Sequence, residues 1–379
     1  MDINVAQEYF STLARNGWQE RASQIIASLA AAQALSVVDA DCLQKAVTEN
    51  AVDVPVENHK LYGIIEGSVI SSLQFSPLES DAAMRASFQQ AVRWIEIETS
   101  SQCNRRCSYC PNSKNDRHSE NHFMPWEMFT KLIGELASIH YSGAIKFVGN
   151  NEFFLHEENF DYVRHAREKL PDARFELFSN GDFLTRPMLD RVAELKVAQI
   201  NVTLHSAPTR PYQEVDTLAR ALKLSRKLEV GLALADFAEN TRIWFQGNYR
   251  GINLLVHNDN LSAVGHNWGS YLEGHDKQPR TEPCTYPLRQ LILNYKGEIF
   301  LCCRSFKEAD EQTVAAGLFT TKLEDHPDVF HAYACPAHVS KRACLFTNRP
   351  KTGPCEHCDG DERVAVQNAQ QLLANIELR

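Results

Sequence analysis

The sequence has little that would draw it to a membrane or to nucleic acid. Its 39 Lys and Arg residues are outnumbered by 48 Asp and Glu residues, which gives a net charge of −9, so no general attraction to nucleic acid or anionic lipid is expected. The start of the chain lacks the basic and apolar regions of a secretory signal. The most apolar stretch, residues 25–38, is interrupted by polar residues. These absences predict a cytoplasmic protein that binds neither membrane nor nucleic acid.

Cysteine is absent from the long stretch between Cys110 and Cys284, although the chain has 11 cysteines among its 379 residues. An odd number of cysteines in a cytoplasmic chain makes a disulfide framework the weaker explanation and metal ligation the stronger one. Apart from Cys42, the cysteines fall into a cluster of three and a group of seven in the last hundred residues. The sequence therefore directs attention to these two groups.

Periodicity divides the chain into three predicted domains. Residues 1–90 carry apolar residues at helical spacing and predict a mostly helical extension. Residues 91–270 alternate short β-rich runs with amphipathic helices, which is typical of a parallel α/β sheet or barrel. Residues 271–379 hold a hairpin around Gly297, the second cysteine group and a terminal helix over 364–378. With so few apolar residues between its cysteines, this last region is expected to depend on bound metal for its fold.

Six strands are predicted in the central region, too few for a closed barrel of eight βα units. We place them at residues 93–99, 144–149, 174–179, 199–204, 229–235 and 253–257.

The first cysteine cluster has the spacing C-x3-C-x2-C, at Cys103, Cys107 and Cys110, on a loop just after the first predicted strand. Three thiolates that share a [4Fe–4S] cluster leave its fourth iron without a protein ligand, and so open to a substrate or cofactor. Two other interpretations are a zinc site completed by His118 or His122, and three unrelated cysteines.

This motif, with an aromatic residue before its last cysteine, resembles the signature of the radical S-adenosylmethionine (SAM) superfamily. The resemblance covers about residues 92–360 and implies a partial (β/α)6 barrel of the TIM type. It further implies that SAM chelates the open iron of the cluster. Electron transfer then yields a 5′-deoxyadenosyl radical that abstracts hydrogen from a substrate.

The same resemblance implies which residues contact SAM. Gly149, Asn150, Asn151 and Glu152 look like the family's Gly-Gly-Glu segment, with two asparagines where glycine is usual. The other implied contacts, each near the end of a predicted strand or in the cysteine motif, are Tyr109, Ser179, Asn180, Thr203, Val256 and His257.

The second cysteine group offers four thiolates from two directions. The hairpin around Gly297 would bring Cys284 and Cys302 together, and a closing C-x2-C adds Cys355 and Cys358. Four thiolates suit either Zn²⁺ or a second iron–sulfur cluster, and spacing alone leaves both open.

Resemblance favours the second cluster, because this pattern looks like the SPASM and twitch extensions of radical SAM enzymes. The shorter twitch form implies one auxiliary [4Fe–4S] cluster on Cys284, Cys302, Cys355 and Cys358. Cys303 is an alternative to Cys302 as a ligand, and Cys335 with Cys344 could hold a further cluster.

The implied activity is the oxidation or epimerisation of a small polar metabolite, such as a sugar or aminoglycoside-type intermediate. Oxidation needs a base for the substrate proton, and the candidates at strand ends are Glu98, His205 and Asp236. Epimerisation needs a hydrogen donor, for which Cys335 and Cys344 are candidates. The expected electron donor is a flavodoxin or ferredoxin. The alternatives are a maturase of a ribosomally made peptide and a non-catalytic zinc or iron–sulfur module.

Overall fold

The computed structural model describes most of the chain from residue 72 to residue 358. The described residues are 7, 10–11, 14, 19–31, 36–50, 72–206, 212–261, 268, 272, 279–281, 283–315, 317 and 319–358. The predicted terminal helix over 364–378 lies outside these residues.

Helices and strands are numbered here in chain order among the described residues. The helices are α1 (Gln19–Ala31), α2 (Val37–Asn50), α3 (Asp81–Ala91), α4 (Trp126–Ser138), α5 (Asn159–Lys169), α6 (Arg186–Glu194), α7 (Glu214–Leu228), α8 (Tyr286–Arg289), α9 (Glu311–Ala315), α10 (Val329–Tyr333) and α11 (Pro336–Leu345). The strands are β1 (Trp94–Ile97), β2 (Ala144–Phe147), β3 (Arg174–Ser179), β4 (Gln199–Thr203), β5 (Ala233–Ala238), β6 (Arg242–Tyr249), β7 (Ile252–Asp259), β8 (Gln290–Leu293), β9 (Glu298–Phe300) and β10 (Phe319–Lys322).

The chain forms two compact units. Residues 1–63 and 179–264 make up one, called here the meander unit, and residues 64–178 and 265–379 make up the other, called the cysteine unit. The three domains expected from the sequence stay a prediction.

In the cysteine unit, β1 lies between two parallel neighbours, β2 and β8. Strand β3 continues the sheet parallel to β2, while β9 and β10 extend the other side in antiparallel fashion. Successive side chains of a strand point to opposite faces. Ile95 and Ile97 are fully buried on one face of β1, and Trp94 and Glu96 lie on the other. Glu96 thus lies on the face of β1 opposite Ile95 and Ile97.

The hairpin predicted around Gly297 is confirmed, since β8 and β9 pair antiparallel across it. Gly297 has φ +75°, and a Cβ there would lie 2.5 Å from the Met128 sulfur. A residue with a side chain would be strained here in both backbone conformation and space. What the sequence did not predict is that this hairpin joins the central sheet through β8 and β1.

In the meander unit, β4 and β7 are parallel, whereas β5, β6 and β7 pair antiparallel in sequence order. Helices α1 and α2 pack together, and α1 also contacts α7. The expectation of a fifth parallel strand over 229–235 was wrong, because the strand there, β5, is antiparallel to β6. The connections from β5 to β6 and from β6 to β7 are a few residues long, and a parallel crossover needs a dozen or more.

The predicted α/β class, with a sheet that does not close into a complete barrel, is confirmed by the paired strands. Among the described helices none is long and apolar enough to cross a membrane.

Candidate functional site

The loop that carries the first three cysteines is closed at its base. Ser100 and Phe123 form an antiparallel bridge, and the Met124 N–H donates to the Thr99 carbonyl at 2.9 Å. The 22 residues between the bridge partners are therefore anchored to the end of β1.

Within this loop the three thiols lie close enough to influence one another. The Cys110 N–H donates to the Cys107 carbonyl at 3.0 Å, and the Cys103 N–H donates to the Arg117 carbonyl at 2.8 Å. Burial raises the pKa of Cys103 to about 12, and the nearby Glu152, Cys110 and Cys107 add to the increase. Burial likewise raises the pKa of Cys110 to about 11, with a further contribution from Cys107. The three thiols thus lie near one another in the loop, with Cys107 buried and Cys103 and Cys110 partly exposed. Their role as cluster ligands stays a prediction.

Tyr109 lies against this group. Burial raises the pKa of its phenol, as do the charge of Cys107 and a hydrogen bond with that thiol. Its backbone carbonyl accepts a hydrogen bond from Trp268 Nε1 at 2.8 Å.

The Gly149–Asn150 segment approaches β1 very closely. A Cβ on Gly149 would lie 2.2 Å from Glu98 Oε1, and that same oxygen accepts the Asn150 N–H at 2.6 Å. The Asn150 side chain reaches Cys110, with Nδ2 3.8 Å from Sγ. Glycine at position 149 therefore lets the segment contact both Glu98 and the thiol group.

The next two residues also lie beside the cysteine loop. Asn151 Nδ2 donates to Ser100 Oγ at 3.0 Å. The Glu152 N–H donates to the Gln102 carbonyl at 2.9 Å, and the Glu152 carboxylate accepts the Phe154 N–H at 3.1 Å. The Glu152 charge is near Cys103, whose pKa it raises. Asn150 and Glu152 thus lie near the first thiols, whereas Gly149 and Asn151 contact Glu98 and Ser100.

A buried charge network connects the cysteine loop to the segment after Cys302 and Cys303. Arg117 is 4% exposed and pairs with Glu98 at 2.7 Å and with Glu308 at 2.8 Å. Burial lowers the pKa of Arg117, but the two carboxylates outweigh it and raise that pKa, so the guanidinium stays charged. Lys307 pairs with Glu96 at 3.2 Å.

Glu98, one of the predicted bases, is 0% exposed. Burial raises its pKa, whereas Arg117, Lys307 and the Asn150 N–H lower it. Its carboxylate holds Arg117 and Asn150 in place, and its role as a base stays a prediction.

The four thiols of the second set are also brought together. Burial raises the pKa of Cys302 well above its ordinary value, with further contributions from four neighbouring thiols: Cys303, Cys355, Cys358 and Cys284. Burial raises the pKa of Cys355 to about 12, and Cys284 and Cys358 add to it. Cys284 is fixed by an N–H bond to the Leu345 carbonyl at 2.9 Å.

Cys303 lies beside Cys302 but faces different groups. Burial raises the pKa of Cys303 to about 12, and the charges that act on it are Glu96, Lys307, Arg304 and Lys146. This environment favours Cys302 over Cys303 as the partner of the other three thiols.

Cys335 and Cys344 lie at opposite ends of α11. Cys335 is its buried N-cap residue and Cys344 is exposed near its last turn. Nine residues of helix span about 13 Å, so the two thiols cannot share one cluster.

Among the described residues, no three or more His, Cys, Asp or Glu side chains lie close enough to hold a single metal ion.

The remaining predicted residues belong to the meander unit. Ser179 Oγ accepts the Gly181 N–H at 2.9 Å, and Asn180 Oδ1 accepts the Asp182 N–H at 3.0 Å. Gly181 has φ +79°, and a Cβ there would lie 2.8 Å from Val202. The Ser-Asn-Gly motif therefore forms a tight turn directly after β3.

Thr203 and His257 face each other across β4 and β7. His257 Nε2 is 3.2 Å from Thr203 Oγ1, and His257 Nδ1 is 3.2 Å from Asp259 Oδ2. Trp244 Nε1 donates to the other Asp259 oxygen at 2.8 Å. Burial raises the pKa of Asp259, but the bonds from His257 and Trp244 outweigh it and lower that pKa.

The other predicted residues of this unit have varied surroundings. Val256 is fully buried, Asp236 pairs with Arg242 at 2.6 Å, and the His205 carbonyl accepts a hydrogen bond from Arg220. Their roles stay predictions.

Comparison with known proteins decides the family of the central region. Residues 97–231 match the model of the radical SAM superfamily. The chain carries a radical SAM domain. Domains of this superfamily use a [4Fe–4S] cluster and SAM, act on small-molecule substrates and need a reductant.

Two characterised relatives resemble the chain in sequence. It is 25% identical over 281 residues to the S-adenosyl-L-methionine-dependent 2-deoxy-scyllo-inosamine dehydrogenase of Niallia circulans, covering 73% of this chain and 95% of the relative. It is 28% identical over 131 residues to a tungsten-containing aldehyde ferredoxin oxidoreductase cofactor-modifying protein of Pyrococcus furiosus, covering 35% of each.

The fold of the radical SAM domain matches that of a solved structure. The crystal structure of BtrN in complex with AdoMet and 2-DOIA superposes with a TM-score of 0.51 and 24% identity, covering 74% of this chain and 96% of that one.

Sequence reasoning missed two groups of residues. One is the network of Arg117, Lys307 and Glu308, for which the signal was the alternation of Glu96 and Glu98 with apolar residues in the predicted strand 93–99. The other is Asp259, two residues after His257, which orients that imidazole.

Proposed function

We propose that this protein is a radical SAM oxidoreductase that removes hydrogen from a small polar metabolite and, with an auxiliary iron–sulfur cluster, oxidises or epimerises it. The observation that carries the proposal is the presence of two groups of neighbouring thiols in one compact unit. The first comprises three thiols and the second four, in the sets described above.

The donor sets fit the groups that the radical SAM domain implies. Cys103, Cys107 and Cys110 would hold the first cluster and leave one iron open, and Cys284, Cys302, Cys355 and Cys358 would hold an auxiliary cluster. The first cluster, with SAM bound, supplies a radical that abstracts hydrogen from carbon.

The chain's own residues have supporting tasks in this proposal. Glu152, whose charge acts on Cys103, would be suited to hold the SAM ammonium, because a carboxylate attracts a cation. Tyr109, which lies beside Cys107, and Asn151, which bonds Ser100, are proposed as further contacts of SAM. In the meander unit, Ser179, Asn180, Thr203 and His257 are proposed to contact SAM, together with the backbone at Val256.

The proton of an oxidised alcohol needs an acceptor. Of the three predicted bases, Glu98 is fully buried and accepts hydrogen bonds from Arg117 and the Asn150 N–H. His205 and Asp236 are partly exposed. We therefore favour His205 or Asp236 for this task.

The substrate class follows from the Niallia circulans relative, whose name states that it acts on 2-deoxy-scyllo-inosamine. The match spans 95% of that protein, which supports an amino sugar or aminocyclitol as substrate. A flavodoxin or ferredoxin is the proposed electron donor, and cytoplasmic location is proposed with it.

The test compares the anaerobically reconstituted wild type with a Cys103→Ala/Cys107→Ala/Cys110→Ala variant. Wild type is expected to bind iron at both sites and to release 5′-deoxyadenosine from SAM under reduction. The triple variant should keep about four irons per chain and release no 5′-deoxyadenosine. A Cys42→Ala variant, altered on α2, is the matched control and should behave as wild type. Wild type that contains zinc and leaves SAM intact would disprove the proposal.

A further inference from the structure

Asn150 has its backbone fixed from two sides. The residue as a whole is only 4% exposed. Its N–H donates to Glu98 Oε1 at 2.6 Å, and its carbonyl accepts a hydrogen bond from Asn112 Nδ2 at 2.7 Å. The position of the side-chain amide is therefore set by rigid neighbours.

The orientation of that amide is also set. The Lys307 backbone N–H donates to Asn150 Oδ1 at 3.4 Å, and an N–H donor pairs only with the oxygen end of an amide. The nitrogen end must then point the other way, where Nδ2 lies 3.8 Å from Cys110 Sγ. One donor of the amide is thus directed at a sulfur of the first thiol group.

Lys307 itself is held by three other contacts. Its carbonyl accepts hydrogen bonds from Arg117 Nη2 at 3.3 Å and Asn294 Nδ2 at 3.0 Å. Its ammonium pairs with Glu96 at 3.2 Å. The segment that follows Cys302 and Cys303 therefore orients a donor toward the first cysteine loop.

A hydrogen bond to a ligating sulfur is one of the factors that set the reduction potential of an iron–sulfur cluster. The reduced cluster carries more negative charge, so a donor stabilises it more than the oxidised cluster and raises the potential. A glycine at position 150 would have no such donor.

We propose that Asn150 is a positioning residue that raises the reduction potential of the cluster held by Cys103, Cys107 and Cys110, through the hydrogen bond from its side-chain amide to the Cys110 sulfur. The Lys307 N–H keeps the amide in the required orientation. This inference rests on the proposed function, because it needs a cluster at the first three cysteines.

The experiment measures reduction potentials of the full-length, reconstituted protein by EPR-monitored redox titration without SAM. The signal that changes when SAM is added identifies the first cluster. Asn150→Gly and Asn150→Ala should both shift its potential to a more negative value than in wild type. Asn150→Asp should shift it further, because a carboxylate cannot donate and adds negative charge.

Asn115→Gly is the matched control, since it removes another asparagine amide of the cysteine loop, one that bonds the Pro111 carbonyl at 2.8 Å instead of a sulfur. Its first-cluster potential should equal that of wild type. Equal potentials in wild type, Asn150→Gly and Asn150→Ala, with iron content intact, would overturn the inference alone. A wild-type protein without any SAM-responsive signal would overturn the proposed function and this inference with it.

Discussion

At the scale of single residues, the network around Arg117 is the most consequential feature. Arg117 and Glu98 are both almost inaccessible, at 4% and 0% side-chain exposure. Two buried charges are costly to take out of water, and their attraction repays that cost only while both partners are present. Loss of one partner leaves an uncompensated charge.

Arg117→Met is therefore expected to lower the free energy of unfolding by about 3 to 5 kcal/mol. In the double variant with Glu98→Gln, the loss should be smaller than the sum of the single losses, because the two side chains interact directly. Urea unfolding of all three variants measures this. Arg106→Met, which removes an exposed Arg106–Asp116 pair, is the control and should have little effect. Strict additivity would contradict the network.

Individual residues were predictable where their chemistry depends on local spacing. The three cysteines of the C-x3-C-x2-C motif and the Gly149–Glu152 segment could be found in this way, because each is a short run with a distinctive composition. Arg117 could not, since its partner Glu308 is 191 residues away. A single arginine in a loop is most often solvated, and only the fold shows that this one is buried.

At the scale of elements, strands and helices that repeat in a regular alternation were predictable, and strand order was not. The runs that became β1 to β4 have strong apolar character, whereas the direction of β5 depends on connections too short for a crossover. The pairing of β8 with β1 joins segments some two hundred residues apart. Nothing local in either segment specifies the other.

Helix α11 carries an element-level prediction through His338, which is 0% exposed. Burial and the nearby Arg342 hold the pKa of His338 well below the ordinary 6.5. The unfolded chain therefore takes up this proton more readily than the folded one, so stability is lost as pH falls below about 6.5 and regained above it.

The urea concentration at the midpoint of unfolding is expected to decrease for wild type when the pH is lowered from 7.5 to 5.5. For His338→Leu the decrease should be smaller. His122→Leu, a change at a histidine whose side chain is 57% exposed, should keep the wild-type dependence. The same pH dependence in wild type and His338→Leu would refute this assignment.

At the scale of the whole molecule, the proposed reaction has two stages, SAM cleavage at the first thiol set and substrate oxidation that also needs the second thiol set. Cys355 and Cys358 lie in a segment that backbone hydrogen bonds hold in place. One of them runs from the Arg280 N–H to the Glu356 carbonyl at 2.6 Å. The two cysteines are distant in sequence from the first motif. Removing them should leave the first three cysteines in place.

Cys355→Ala/Cys358→Ala is expected to lose about four irons per chain and to retain SAM cleavage, while formation of an oxidised product falls to background. Iron analysis and product chromatography on the same sample measure both effects. Cys42→Ala again serves as control. Unchanged iron content in the double variant would show that these thiols hold no cluster.

The pairing of Arg117 with Glu308 also has a consequence for biogenesis. The first cysteine loop leaves the ribosome long before its distant carboxylate, which is 191 residues further along the chain. At ordinary rates of synthesis that interval is roughly 10 to 40 s. During this time Arg117 lacks one of its two counter-charges and β1 lacks its neighbour β8. Insertion of iron and sulfide at the first three cysteines is therefore best timed after translation has passed residue 308.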